Sequence, residues 1–217
     1  GKLAELANAA VLVKYGETTV LVTATASPRP RDGIDYFPLG VDFEEKIYSV
    51  GRIPGGYLRR EGRPSERGIL ASRMIDRPMR PLFPSDLRND VIISCTVMAV
   101  DYDNAPEIAA MIGASAAVSI SDIPFNGPIA GVGLGYVDGK YVINPTSAER
   151  KVSEMYCTIA ATEEKIVMIE AGGNEIPEDV MLGGIIAAHD AIKPVIALIK
   201  QMVQEIGKPK FEYAKAS

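Results

Sequence analysis

Two cysteines, one histidine and no long uncharged apolar run set the outer limits on this 217-residue sequence. Cys95 and Cys157 are too few and too far apart for a disulfide framework or a zinc site, and a reduced, cytosolic setting is the default expectation. A single histidine, His189, excludes any metal site built from several imidazoles. No stretch of about 18 uncharged apolar residues occurs, so no membrane span is expected. No charged start followed by an apolar stretch and a cleavage site marks the chain for export. Low-complexity segments, repeats and a convincing linker are also missing, and residues 1–217 read as one domain. What is present is an ordinary globular balance, 47% apolar and 24% charged, enough for a sizeable core.

Lysine is missing where positive charge is densest. Residues 52–90 hold nine of the twelve arginines, no lysine and five acids, a net charge of +4 inside a chain whose total is −5. Guanidinium is a flat fork of donors that matches phosphate and carboxylate and stacks on aromatic rings. The stretch Gly51-Arg-Ile-Pro-Gly-Gly-Tyr-Leu-Arg-Arg-Glu-Gly-Arg63 puts four glycines and four arginines into a loop that fits no regular element. A helical pattern runs from Ser65 towards Arg77, with Pro64 near its start and Pro78 near its end. It sets Arg73, Arg77 and Arg80 at i, i+4 and i+7.

The rest reads as α+β. Ala10–Lys14 and Thr18–Ala24 flank the turn Tyr15-Gly16-Glu17 as a hairpin, and Ser27–Gly33 reads as a loop leading to an apolar stretch at Pro38–Tyr48. Pro81 and Pro84 predict an extended link. Val91–Val100 is a nearly continuous apolar run, expected as a buried central strand. Asn104-Ala-Pro-Glu107 opens a helix rich in Ala and Gly, with Asn104 as its cap. Two further hairpins follow, Ile129–Ile143 around Asp138-Gly139 and Met155–Glu170 around Thr162–Lys165. A long helix then runs from Pro177 to about Ile206, with a kink expected at Pro194 and Gly207 as its stop. Strands, single helices and hairpins in this order are not the regular alternation of a doubly wound sheet.

Each candidate for chemistry has a plain alternative. Gly131-Val-Gly133-Leu-Gly135 sits inside a strand pattern rather than ahead of a helix, so close backbone packing is favoured over phosphate binding. Leu182, Ile185, Ile186 and His189 follow helical spacing, which makes His189 a packed histidine. The pairs Asp101/Asp103, Glu163/Glu164 and Glu178/Asp179 fit a strand end, a turn and a helix N-terminus as well as a metal. The arginine window is the exception. Four arginines in a glycine loop beside Tyr57, with three more in helical register, suit a single-stranded nucleic acid, gripped at its phosphates and stacked at its bases. An inter-subunit salt-bridge surface is the alternative.

The longest motifs carry a resemblance. Gly51–Glu66, Ile75-Asp-Arg-Pro-Met-Arg-Pro-Leu-Phe83, Met111–Ala116, Ile123–Pro128 and the opening Ala10–Gly16 resemble bacterial polynucleotide phosphorylase, and specifically the first of its two RNase PH-like cores. The resemblance covers essentially the whole chain. It implies an RNase PH-like fold, a mixed β-sheet packed with α-helices, in a subunit that adds a helical linker, a second core, and KH and S1 domains. It implies a homotrimeric ring around an RNA channel and processive 3′-to-5′ phosphorolysis of single-stranded RNA, with inorganic phosphate as co-substrate and Mg2+ required by the whole enzyme. Opening on Gly1 without an initiator Met, the chain is expected to be a fragment lacking the family's first strand. Other RNA-decay proteins are further expected partners, and the cytoplasm the expected location.

The family's channel-constricting loop has the form Phe-Phe-Arg-Arg, and its counterpart here is Tyr57-Leu58-Arg59-Arg60. With Arg63 these are the expected RNA contacts; Arg73, Arg77 and Arg80 are the expected phosphate or anion contacts. The family's active core carries a serine-rich phosphate loop and an Asp-x-Lys pattern, where this sequence reads Asp103-Asn-Ala-Pro-Glu107 and Tyr156-Cys-Thr158. No catalytic residue and no metal ligand is therefore assigned here, and this domain is expected to bind RNA and build the ring. Two alternatives stand: a core that is itself phosphorolytic, and a purely structural assembly module.

Overall fold

A computed structural model describes residues 2–213. β1 (Ala9–Tyr15) and β2 (Thr18–Pro30) form the opening hairpin, paired from Ala9↔Ala24 to Tyr15↔Thr18. Its turn needs a glycine: Gly16 has φ +57°, and a side chain there would collide with Asn104. β2 also pairs antiparallel with β4 (Asn89–Ala99), which pairs parallel with β3 (Leu39–Glu45), giving the order β1-β2-β4-β3. β4 is interior, as its composition predicts, but it is buried on one face only. Val91, Ile93, Cys95 and Val97 are wholly inside, while Ile92 and Met98 reach solvent.

The second sheet is antiparallel throughout. β5 (Ala130–Val137), β6 (Lys140–Ile143), β7 (Met155–Ala161) and β8 (Ile166–Gly173) are ordered β6-β5-β7-β8. Asp138 and Gly139 both take positive φ, as the tight turn between β5 and β6 demands. The glycines of β5 serve packing: a Cβ on Gly131 would strike the Met111 sulfur, and one on Gly135 would press on Ser153 and Pro145.

Among the described residues, four α-helices complete the α+β fold. α1 (Glu66–Met79) is capped by the Ser65 hydroxyl, which accepts from the Gly68 N–H at 3.0 Å, and it packs on β3. α2 (Pro106–Ile120) is buried on every side, between the first sheet and the face of β5 and α4 (Glu178–Ile206). α3 (Ser147–Val152) is a short helix that the periodicity did not reveal. α4 buries Gly184, Ala188, Ile192 and Ile196 against the second sheet, and Ile199 is buried further along it. By length and hydropathy α4 could cross a membrane, contrary to the expectation from uncharged runs alone; packing accounts for one stripe of it, while Leu182, Ile186, Leu198 and Ile206 are exposed.

Several local expectations are corrected. β2 continues to Pro30 through the segment read as a loop, because Asn89 and the Ser27 hydroxyl extend its pairing with β4. Arg80–Leu82 is a 3-10 turn rather than an extended link. Ala105, not Asn104, is the N-cap of α2, since the Asn104 amide is drawn to the Asp101 carboxylate at 2.6 Å. α4 runs continuously through Pro194. Leu182 and Ile186 are exposed, so the buried stripe of α4 is not the one read from the sequence.

After α4 the chain returns across the molecule as a strap. The Lys210 ammonium donates to the carbonyls of Val118, Ser119 and Ser121 at 3.0, 2.9 and 2.7 Å, closing the C-terminal end of α2. The Tyr213 hydroxyl donates to Asp86 at 2.8 Å.

Candidate nucleic-acid interface

The glycine-rich loop leaves the body of the protein where Gly51, at φ +71°, ends a 3-10 turn over Ile47–Val50. Two bonds tie it back: the Arg52 N–H donates to the Ile47 carbonyl at 3.3 Å, and the Glu61 carboxylate accepts the Ile47 N–H at 3.0 Å. Beyond that it stands clear, and a Cβ on Gly55, Gly56 or Gly62 would meet nothing within 4 Å. At the tip the Arg59 N–H donates to the Gly56 carbonyl at 2.9 Å, and Arg59 itself adopts a left-handed φ of +47°. Tyr57 is fully exposed and Leu58 is 71% exposed. Among the described residues, the guanidinium groups of Arg52, Arg59, Arg60 and Arg63 have neither an ion-pair partner nor a hydrogen-bond acceptor. An aromatic ring, a leucine and several unneutralised cations held in water are a surface that gains by meeting a polyanion with flat faces.

The three arginines in helical register part company. Arg73 and Arg77 lie on the exposed side of α1, edging a shallow trough of about 350 Å³ with Arg67. Arg80 instead folds back on the protein. It grips Asp76 through Nε at 3.0 Å and Nη2 at 2.6 Å, and donates to the carbonyls of Phe37 and Leu39 at 3.2 and 3.1 Å. Its donors are spent on tying the end of α1 to the approach to β3.

Beside the trough is a larger cleft of about 920 Å³, between the start of the loop, the N-terminal end of α2, and β5 and β7. It is lined by Asp103, Ala105, Pro106, Glu107, Tyr156 and Thr158, which fall where the resemblance sets the phosphate loop and the Asp-x-Lys pattern of an active core. Their polar groups are committed to one another. The Asp101 carboxylate accepts from the Asn104 amide and from the backbone N–H groups of Asp103 and Glu17; the Asp103 and Asn104 bonds hold it below the usual carboxylate range. Asp103 accepts the Ser147 N–H at 2.8 Å, and the hydroxyls of Tyr156 and Thr158 are 3.0 Å apart. Arg150 clamps the carbonyls of Pro145 and Tyr102. Mg2+ favours an open set of oxygen ligands, and among the described residues no three carboxylate, histidine or cysteine side chains converge to offer one. The residues present do not fit that ion.

The remaining candidates have structural roles. His189 places Nε2 3.1 Å from the Thr162 carbonyl and packs half-buried against the end of β7. Glu163 pairs with Lys200, and Glu178 and Asp179 sit in the first turn of α4. Cys95 and Cys157 are buried in different sheets, and burial raises both thiols, Cys95 to about 12. Sequence reasoning missed α3, whose Thr146-x-x-Glu149 capping box was the available signal. With it went Ser147 and Arg150, which shape the cleft.

Comparison with known proteins gives a consistent picture. Residues 1–124 match the RNase PH model described as the 3′ exoribonuclease family, domain 1, and residues 127–191 match domain 2 of that family. The polyribonucleotide nucleotidyltransferase of Ruminiclostridium cellulolyticum is 60% identical over 216 residues, covering 100% of this chain and 31% of that protein. That of Caldicellulosiruptor saccharolyticus is 57% identical over 215 residues, 99% of this chain and 31% of the relative. That of Clostridioides difficile is 54% identical over 210 residues, 97% of this chain and 30% of the relative. The chain thus spans about a third of the length of these relatives. Among solved structures, rice Rrp46 superposes with a TM-score of 0.75 at 14% identity, over 93% of this chain and 91% of that one, a likeness of fold.

Proposed function

Since the chain belongs to the 3′ exoribonuclease family, we propose that it is the RNA-holding, ring-forming first core of a polyribonucleotide nucleotidyltransferase, with the chemistry carried elsewhere in the longer protein. The observation that carries this reading is the loop at Tyr57–Arg60, exposed, cationic and unpartnered. A phosphate chain passing the tip displaces its counterions onto Arg59, Arg60 and Arg63, while Tyr57 offers a face to a base and Leu58 an apolar contact. Arg73 and Arg77 extend the same positive field along α1.

The reaction of the complete enzyme is then 3′-to-5′ phosphorolysis of single-stranded RNA to nucleoside diphosphates, with inorganic phosphate as co-substrate and Mg2+ held outside this core. Three subunits close the ring, other RNA-decay proteins are candidate partners, and the cytoplasm is the setting. The self-satisfied cleft at Asp103–Glu107 supports a core without its own chemistry. A phosphate nucleophile needs free donors around it, and here those groups bond one another.

Fluorescence anisotropy with a labelled single-stranded RNA across a salt series tests the reading. The log-affinity against log-salt slope is expected to fall by roughly 1.4 in Arg59→Ala/Arg60→Ala, for two phosphate contacts on a single strand. Unchanged affinity in that variant refutes RNA holding, and loss of oligomers without any direct effect on RNA favours a purely structural module. Incubation with RNA, phosphate and Mg2+ should release no nucleoside diphosphate; release would make this core an active phosphorolytic enzyme.

A further inference from the structure

Both ends of the glycine-rich loop are fastened to one residue. The Ile47 carbonyl accepts the Arg52 N–H at 3.3 Å, and the Ile47 N–H donates to the Glu61 carboxylate at 3.0 Å. Ile47 is itself seated on the first sheet: the Lys46 N–H donates to the Val97 carbonyl at 3.4 Å, and the Val100 N–H to the Ser49 carbonyl at 3.3 Å. The loop is thus a lariat closed beside β4, with residues 53–60 as its free span. One knot is made by backbone and the other by a side chain. Without Glu61 the next fixed point is Ser65, whose hydroxyl caps α1, and the free span lengthens to residues 53–64. The added stretch includes Gly62, which has open space around it. The acid is otherwise out of place in this loop. It stands beside Arg60 and two residues from Arg59 and Arg63, where a negative charge opposes a polyanion, yet among the described residues it pairs with none of them. Its charge is turned towards the body: the bond to Glu44 holds the Lys46 ammonium above the ordinary lysine value, and Glu61 adds to that pull.

We propose that Glu61 is a positioning residue for RNA, the tie that presents the cationic tip in one posture; this rests on the reading of Tyr57–Arg60 as the RNA-holding tip. A glycine-spaced loop that is free in water loses freedom when it grips a strand, and that loss is subtracted from affinity. The bond to Ile47 removes part of the freedom before RNA arrives. Glu61 touches no RNA and acts through Arg59, Arg60 and Arg63. Its carboxylate has two opposed effects, repelling phosphate and ordering the loop, and substitution separates them. Glu61→Gln loses the charge and keeps an oxygen able to accept the Ile47 N–H. Glu61→Ala loses both.

Anisotropy with a labelled single-stranded RNA on the 217-residue protein compares the two variants, which share the loss of charge and differ in the acceptor. Glu61→Ala is expected to bind about threefold or more weakly than Glu61→Gln, the scale of one hydrogen bond. With Arg59→Ala/Arg60→Ala added to each, the two should bind alike, because Glu61 works through those arginines. Trypsin reads the tie without RNA: cleavage after Arg59 should be several-fold faster in Glu61→Ala than in Glu61→Gln. Thermal melts of both should match the parent, since the loop lies outside the core. Equal RNA affinities of Glu61→Ala and Glu61→Gln, with Arg59→Ala/Arg60→Ala still weakened, overturn the positioning role and leave RNA holding intact. Equal cleavage of the two variants shows that Glu61 does not order the loop and overturns it as well. An Arg59→Ala/Arg60→Ala variant that binds RNA as tightly as the parent overturns RNA holding itself.

Discussion

Replacing Arg80 should cost the protein its stability and leave RNA affinity alone, the opposite of what its register with Arg73 and Arg77 suggests. Arg80→Ala removes two contacts to Asp76 and two to the carbonyls of Phe37 and Leu39. The Arg80 side chain is 43% exposed and that of Asp76 24%, so the ion pair is discounted to about 1 kcal/mol rather than the several that a buried pair would carry. The two carbonyl bonds add about 0.5–1 kcal/mol each, for a total of roughly 2–3 kcal/mol. For a chain of this size that is a fall in melting temperature of roughly 5–10 °C, read by circular dichroism. Arg80→Lys keeps the charge but not the fork, and should recover little of the loss. A melting temperature within about 2 °C of the parent would refute the argument. So would an RNA affinity that falls as far as in Arg59→Ala/Arg60→Ala while the melt is unmoved.

Gly131→Ala should destabilise by about 1–3 kcal/mol in chemical denaturation, because the new methyl meets Met111 and the Ile159 carbonyl; Gly139→Ala, where nothing lies nearby, separates crowding from the strain of positive φ. Lys210→Met keeps the stem but leaves three carbonyls at the end of α2 without their donor, and should lower the melting temperature by several degrees, at about 1 kcal/mol or more. Burial and the hydrogen bond to Asp86 raise the Tyr213 phenol above its ordinary value. Its contribution is therefore complete below about pH 10 and drains away as pH climbs through the raised value. The stability difference between the parent and Tyr213→Phe should accordingly shrink on the alkaline side. Lys210 is common to both proteins and cancels from that difference, and a difference flat with pH would show that Tyr213 contributes by packing alone.

The hairpins were legible because each is written locally, as alternating residues on either side of Gly16, Asp138-Gly139 or Thr162–Lys165. α1 was legible from Ser65 onward for the same reason. The parallel pairing of β3 with β4 was not. Leu39 meets Val91 across some fifty residues of loop and helix, and nothing near either strand encodes the choice. The cap of α2 was misread by one residue because Asp101, a partner three residues upstream, competes for the Asn104 side chain. The cluster of loop arginines was legible from composition, and among the described residues Arg52, Arg59, Arg60 and Arg63 have no acid partner. Composition could not say that Arg80 faces inward, nor that Arg67, Glu107 and Tyr156 meet, because those three come from separate elements joined only by the fold.

α2 has no outward face, and this bears on how the chain could ever be divided. The match to the family's first domain ends at residue 124 and the second begins at 127, so a cut between them would leave α2 with the first piece. That piece would show water Ile112, which packs on the second sheet's core, and Ser115, whose hydroxyl accepts the Ile129 N–H at 2.9 Å. The complementary piece would lose the Met111 side chain that fills the groove left by Gly131. Two segments that inheritance treats as separate modules are thus bound to one another like two houses built against a single wall. Neither can be rebuilt without shoring up the other, and any shuffled partner would have to bring a sheet shaped to the same helix.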